Sequence, residues 1–162
     1  MIITPELLKS LNACKDQVAL FDKFLDGKPG VEFSPSNALC AKEFGLDVRW
    51  LLGKVDFPRE VALLDPEWAY IYAQYVDKAP RDETREASCQ DPYWAYRYAL
   101  YVDKVPRDDT REAACKDPEW AFRYAIYVDE VPRDDTREAA CKSPYWRNRY
   151  ICYFGGWYDR NT

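Results

Sequence analysis

This chain reads as an all-α protein: a right-handed stack of short helical hairpins, an α-solenoid with a 26-residue repeat, behind an N-terminal helical cap. Asp65-Pro66-Glu67-Trp68-Ala69-Tyr70, Asp91-Pro92-Tyr93-Trp94-Ala95-Tyr96 and Asp117-Pro118-Glu119-Trp120-Ala121-Phe122 follow one another at 26-residue steps, and Ser143-Pro144-Tyr145-Trp146 opens a fourth copy. The linking segment keeps the same step in Arg81-Asp82-Glu83-Thr84-Arg85-Glu86, Arg107-Asp108-Asp109-Thr110-Arg111-Glu112 and Arg133-Asp134-Asp135-Thr136-Arg137-Glu138. Aromatic residues make up 16% of the 162 and glycine only 6 of them, which separates the chain from disordered compositions. Self-similarity at a fixed period of about 20–50 residues marks stacked repeats, and such stacks present surfaces for binding more often than pockets for chemistry.

Residues 1–56 read as the helical cap. Thr4-Pro5-Glu6 starts a helix through Leu7, Leu8 and Leu11. Asp16 to Leu25 continues with Val18, Leu20, Phe21 and Phe24 as its apolar positions, and Gly27-Lys28-Pro29-Gly30 turns the chain. Val31-Glu32-Phe33 has strand character but no evident partner. Ser34-Pro35-Ser36 opens another helix with Ala38, Leu39 and Ala41, ending near Gly45.

Residues 57–154 read as the repeat array, with units starting near 65, 91, 117 and 143. In the unit from Asp91, that aspartate is a good N-cap and Pro92 suits the first helical position, where its missing N–H costs nothing. Trp94, Tyr98, Tyr101, Val102 and Val105 then fall on one helical face, with Tyr96 and Leu100 on a second flank. Pro106 is expected to end this long helix. A second, shorter helix is capped by Asp108 or Asp109. Its small residues Thr110, Ala113, Ala114 and Cys115 face inward, and Arg111, Glu112 and Lys116 face water. The fourth copy replaces the Ala-aromatic pair by Arg147-Asn148, as expected of a polar terminal unit. Residues 155–162 read as a tail, with Gly155-Gly156 ending the last helix, Trp157-Tyr158 folding back and the last four residues fraying.

The tryptophans 68, 94, 120 and 146 and the tyrosines 72, 98, 124 and 150 form two ladders assigned to the core. Trp94→Ala is accordingly expected to cost about 3–5 kcal/mol. Cys89, Cys115 and Cys141 share one repeat position, where a spacing of about 10 Å between packed helices is too long for disulfides; they read as small residues at helix contacts. Without histidine and without a Cys-x-x-Cys pair, the sequence lacks the marks of a zinc site. No nucleophile elbow, phosphate-binding loop or dinucleotide fingerprint is present, so no enzyme, cofactor or metal is expected.

Net charge is −5 and uneven: residues 61–142 carry 18 acidic against 12 basic side chains, a balance of −6. An acidic body disfavours direct nucleic-acid binding, which needs a basic surface, and favours a protein or protein complex with a basic surface. No apolar run reaches membrane-spanning length and the N-terminus has no signal-peptide pattern, so a cytoplasmic protein with no membrane partner is expected. The candidate partner-binding residues are the acids of the linkers, Asp82, Glu83, Asp108, Asp109, Asp134 and Asp135, and the repeat-to-repeat variable positions Tyr93, Arg97, Tyr145 and Arg149. Exposed positions that vary between repeats are where binding faces diversify.

The segment from Asp65 to about Tyr150 resembles short helical repeats in bacterial and phage- or prophage-borne proteins of unknown function that carry Asp-Pro-x-Trp-Ala-Tyr-x-Tyr-Ala phrases. The opening from Leu7-Leu8-Lys9-Ser10-Leu11-Asn12-Ala13-Cys14 through Gln17-Val18-Ala19-Leu20-Phe21 is similar to the N-terminal module found ahead of such repeats. The resemblance implies no active site. With the acidic body, it implies a phage or mobile-element protein in the bacterial host cell that inhibits a defence complex, in the manner of an anti-CRISPR. The alternative is a structural repeat protein that self-assembles, motivated by Tyr153, Phe154, Trp157 and Tyr158 near the C-terminus, which are expected to be exposed.

Overall fold

The computed structural model describes the backbone of residues 1–161 and the side chains of residues 1–155, so the expectations for Trp157, Tyr158 and the final residues lie outside the described side chains. The regular secondary structure is almost all helical, and the protein divides into two compact units, Met1–Leu64 and Asp65–Thr162. The division falls later than the 56/57 boundary read from the sequence, because the short helix α4 (Arg59–Ala62) belongs to the first unit.

In the first unit, α1 (Pro5–Ser10) is capped by Thr4, whose hydroxyl accepts the Leu7 N–H at 3.2 Å. α2 (Lys15–Leu25) buries Val18, Phe21 and Leu25, and ends on Asp26 in the left-handed region. α3 (Pro35–Glu43) buries Ala38 and Ala41, and a single 3₁₀ turn follows at Val48–Leu51. The strand-like segment does find a partner, contrary to the sequence expectation: β1 (Ile2–Ile3) pairs antiparallel with β2 (Val31–Glu32). The N-terminal residues had given no periodic signal, since two residues are too few to show alternation.

In the second unit, long helices α5 (Pro66–Tyr72), α7 (Pro92–Tyr98), α9 (Pro118–Tyr124) and α11 (Pro144–Asn161) alternate with short helices α6 (Asp82–Ser88), α8 (Asp108–Ala114) and α10 (Asp134–Cys141). The Asp-Pro starts behave as read: the Asp91 carboxylate accepts from the Tyr93 and Trp94 amides at 2.9 and 3.2 Å, with Asp65 and Asp117 doing the same. Each long helix packs on the next, and each short helix packs against the long helices before and after it. The core therefore lies between neighbouring repeats. One cluster joins Tyr70 and Ala73 to Tyr98 and Val102; the next joins Tyr96 and Ala99 to Ala114 and Tyr124; the last joins Phe122 and Ala125 to Ala140, Tyr150 and Phe154.

The ends of the long helices differ from expectation. α5, α7 and α9 each run on into one π turn, at Ala73–Asp77, Ala99–Asp103 and Ala125–Asp129. The Lys104 amide closes the second of these on the Ala99 carbonyl at 2.8 Å. Lys78, Lys104 and Glu130 then stop the helix with φ of 53°, 58° and 58°, before the proline is reached. A π turn carries one residue more than an α turn and rotates the side chains beyond it. Tyr101, within that turn, and Val105, beyond the Lys104 stop, were read as core and are exposed. The tyrosine ladder is core throughout, with Tyr98, Tyr124 and Tyr150 at most 1% exposed, whereas Trp68 alone of its ladder is buried and Trp94, Trp120 and Trp146 are partly exposed. At the far end α11 continues through Gly155 and Gly156 instead of stopping there.

Candidate functional site

Two joints recur along the array, the first at all three repeat boundaries and the second at two, and they decide which side chains remain for a partner. In the first, the Tyr98 hydroxyl accepts the Arg81 amide at 3.0 Å and donates to the Arg81 carbonyl at 3.1 Å, with the Thr84 hydroxyl at 2.8 Å. Tyr124 repeats this on Arg107 and Thr110, and Tyr150 on Arg133 and Thr136. A buried phenol thereby satisfies the backbone amide at the start of the preceding short helix, which has no intrahelical acceptor, and adds a second donor to a carbonyl already bonded within the helix. Arg81, Arg107 and Arg133 are the N-cap residues; Asp108, expected as a cap, is the first helical residue.

In the second joint an arginine expected at the surface is buried. The Arg85 guanidinium holds Asp103 through Nε and Nη2 at 2.8–3.1 Å, and Asp82 through Nη1 at 2.6 Å. Arg111 holds Asp129 and Asp108 at matching distances. The π turn presents the inner aspartate, whose side chain is 2% exposed at Asp103 and 1% at Asp129. The hydrogen bonds it donates to Asp103 keep Arg85 charged well above its usual range despite partial burial. The fourth unit has Gly155 where Asp103 and Asp129 stand, and Arg137 meets Asp134 at 2.7 Å with its own side chain 41% exposed.

This second joint sets the charge of the short-helix edge. One buried arginine serves two carboxylates in each of the two complete clusters, so each cluster keeps one net negative charge. Its solvent-facing members are Asp82 and Asp108, with side chains 98% and 99% exposed. At Asp134 both the arginine and the carboxylate stand open to water, so that acid is held less firmly. Asp109 pairs with Arg107 at 3.2 Å and also accepts the Thr110 amide; Asp135 accepts the Thr136 amide at 2.7 Å and lies 3.8 Å from Arg133. Partial burial opposes ionisation of Asp109, but Arg107 and the Thr110 amide outweigh it and hold that carboxyl below its usual value. Glu83 is exposed at the same helix start.

The other candidates share a second face, along the long helices. Tyr93, Arg97 and Tyr101 lie one turn apart in succession; the Arg97 guanidinium donates to the Tyr93 and Tyr70 hydroxyls at 3.1 and 3.2 Å and lies 4.7 Å from the Tyr101 ring centroid. Tyr145 and Arg149 repeat the pair at 3.2 Å. Arg123 instead pairs with Glu119 at 2.9 Å. Of the most regular members of this face, sequence reasoning singled out only Tyr153. Tyr75, Tyr101, Tyr127 and Tyr153 occupy one repeat position and are all exposed. Their 26-residue step was visible but their common exposure was not, and it holds at Tyr153 in the regular α11 as at the three that sit in π turns. Between α9 and α11 the face forms a shallow groove lined by Phe122, Tyr145, Asn148, Arg149, Cys152 and Tyr153.

The acids thus bond to arginines of the short helices, and Arg97 and Arg149 to tyrosines of the long helices, so the candidates divide into an acidic edge and an aromatic–arginine face. Cys89, Cys115 and Cys141 are free thiols, partly buried; burial pushes the Cys89 thiol up to about 12 and Cys115 up to about 11, which makes both poor nucleophiles. Among the described residues no three cysteine or carboxylate side chains converge as metal ligands, and no helix is long and apolar enough to cross a membrane.

These features define an α-helical repeat protein. No protein-family profile, curated protein or solved structure matches the chain.

Proposed function

We propose that this protein works by binding a protein or protein complex with a basic surface through its acidic short-helix edge, and that it serves a phage or mobile element as an inhibitor of a bacterial defence complex. The observation that supports this reading is the excess of carboxylate over arginine at Asp82 and Asp108, each held in place by a buried guanidinium and directed to water. A carboxylate fixed by its own joint loses little side-chain freedom on binding, so less affinity is spent on ordering it. The test is capture from bacterial lysate on the immobilised protein, followed by affinity measurement against the retained complex over a salt series. Asp82→Asn with Asp108→Asn is expected to weaken binding and flatten its salt dependence, with Asp134→Asn having the smaller effect. Unchanged affinity and salt slope in the double variant would sink the acidic-edge reading.

A second reading is self-association through the aromatic–arginine face, favoured by the four exposed tyrosines and the groove beside Tyr153. Tyrosine and arginine are among the side chains most enriched at energetically dominant interface positions. Sedimentation of the wild type and of Tyr127→Ser with Tyr153→Ser across a concentration series separates the two: a monomer at all concentrations rules out self-association.

A further inference from the structure

The first unit contains a cavity of about 290 Å³ that neither the repeats nor the acidic edge uses. Buried side chains make its floor, Leu8, Phe21, Phe33 and Leu51 among them. That volume is close to the lower end of ligand pockets, about 300 Å³, and a mostly apolar wall with a few polar groups is their usual make-up. At about 30 Å³ for each water-sized group, it has room for roughly ten non-hydrogen atoms.

The lining offers such a molecule no free charge. Successive residues of a strand point to opposite faces. The register of Ile3 with Val31 and of Ile2 with Glu32 turns Val31 inward beside the buried Ile3, and the Glu32 side chain outward beside the exposed Ile2. The other acid of the lining, Asp47, meets Arg49 at 3.3 Å, and among the described residues no lysine or arginine lines the cavity. An ionic head group would give up water there without a counter-charge, which is costly.

The polar side chains of the lining include two neutral amides, each engaged at one end. The Gln17 Oε1 accepts the Asp47 amide at 2.9 Å, and the Asn37 Nδ2 donates to the Glu32 carbonyl at 2.9 Å. These backbone partners fix which way each amide faces. Gln17 is left with its NH₂ and Asn37 with its carbonyl oxygen, neither bonded among the described residues. A hydroxyl both donates and accepts, so it pairs with either amide without bringing a charge.

We propose that the N-terminal unit binds a small uncharged alcohol, its hydrocarbon in the cavity and its hydroxyl at the amide of Gln17 or Asn37. The site is independent of the proposed protein-binding edge.

Calorimetric titration of the intact protein with octan-1-ol, octylamine and octanoate at neutral pH tests this. Octan-1-ol is expected to bind saturably at one site, and both ions about tenfold more weakly. Gln17→Met with Asn37→Leu should weaken the alcohol about twofold to tenfold and leave toluene, which has no polar group, unaffected. Ala41→Leu, which fills the cavity wall, should abolish alcohol binding; Ala13→Leu serves the same purpose if circular dichroism shows that Ala41→Leu does not fold. In the wild type, octan-1-ol should shift the methyl resonances of Leu8 and Leu51 and leave those of the repeats in place. Either ion binding as tightly as the alcohol, alcohol affinity untouched in the amide variant or the filled cavity, shifts confined to the repeats, or no saturable binding at millimolar octan-1-ol would each overturn the proposal.

Discussion

The Tyr124 hydroxyl does three things at once: it accepts the Arg107 amide, donates to the Arg107 carbonyl and meets the Thr110 hydroxyl, all with the side chain fully buried. Tyr124→Phe leaves the Arg107 amide without its partner, whereas the Arg107 carbonyl keeps the Arg111 amide and the Thr110 hydroxyl. The expected loss is about 1–3 kcal/mol, read from urea unfolding. A larger effect is expected at the buried ion pair. Asp129→Ala leaves the buried Arg111 guanidinium with only the solvent-exposed Asp108, and breaking a buried pair from one side costs about 3–5 kcal/mol. A shift below about 1 kcal/mol would show that water reaches Arg111 as readily as an open surface. The indole ladder carries less than the sequence indicated. Trp94 packs on Tyr70 and Tyr93 but stays partly exposed, so Trp94→Ala should fall below the core range of about 3–5 kcal/mol.

At the scale of the element, the π turns explain most of what sequence reasoning missed. The Asp-Pro starts, the alternation of long and short helices and the tyrosine ladder were all legible, because each rests on a local rule of capping, proline geometry or helical spacing. The exposure of Tyr101 and the burial of Arg111 were not: a single apolar face drawn along the long helix grouped Tyr101 with Tyr98, and the aspartate that buries Arg111 stands on a π turn, where periodicity analysis assumes a constant step. A signal was nevertheless present. Arg85 with Asp103 and Arg111 with Asp129 keep an 18-residue separation, and the aspartate disappears at Gly155 in the last unit, where the arginine is no longer buried. The stops of these helices make a prediction of opposite sign. Lys104 sits at φ 58°, a conformation that favours glycine. Lys104→Gly should stabilise the protein by about 0.5–1 kcal/mol, measured as a raised denaturation midpoint with an unchanged slope.

At the scale of the whole molecule, the C-terminal face of the array is closed by side chains that have no place in its interior. Ala69, Ala95 and Ala121 are fully buried and Tyr70, Tyr96 and Phe122 nearly so; the matching positions in α11 are Arg147 and Asn148, both exposed. An arginine at a position that packs only alanine blocks the docking of another unit. Arg147→Ala with Asn148→Tyr rebuilds an interior-type face, and the variant is expected to elute with a larger mass than the wild type by size exclusion with light scattering. An identical mass would show that other residues of α11 keep the end closed. Every joint of the array links a residue in one unit to a residue a fixed distance away in the next, so the relation survives copying. A recombination event that duplicates or deletes one 26-codon segment of the gene restores each tyrosine and arginine to an equivalent partner, and lineages can lengthen or shorten the array in single steps while its two ends stay as they are.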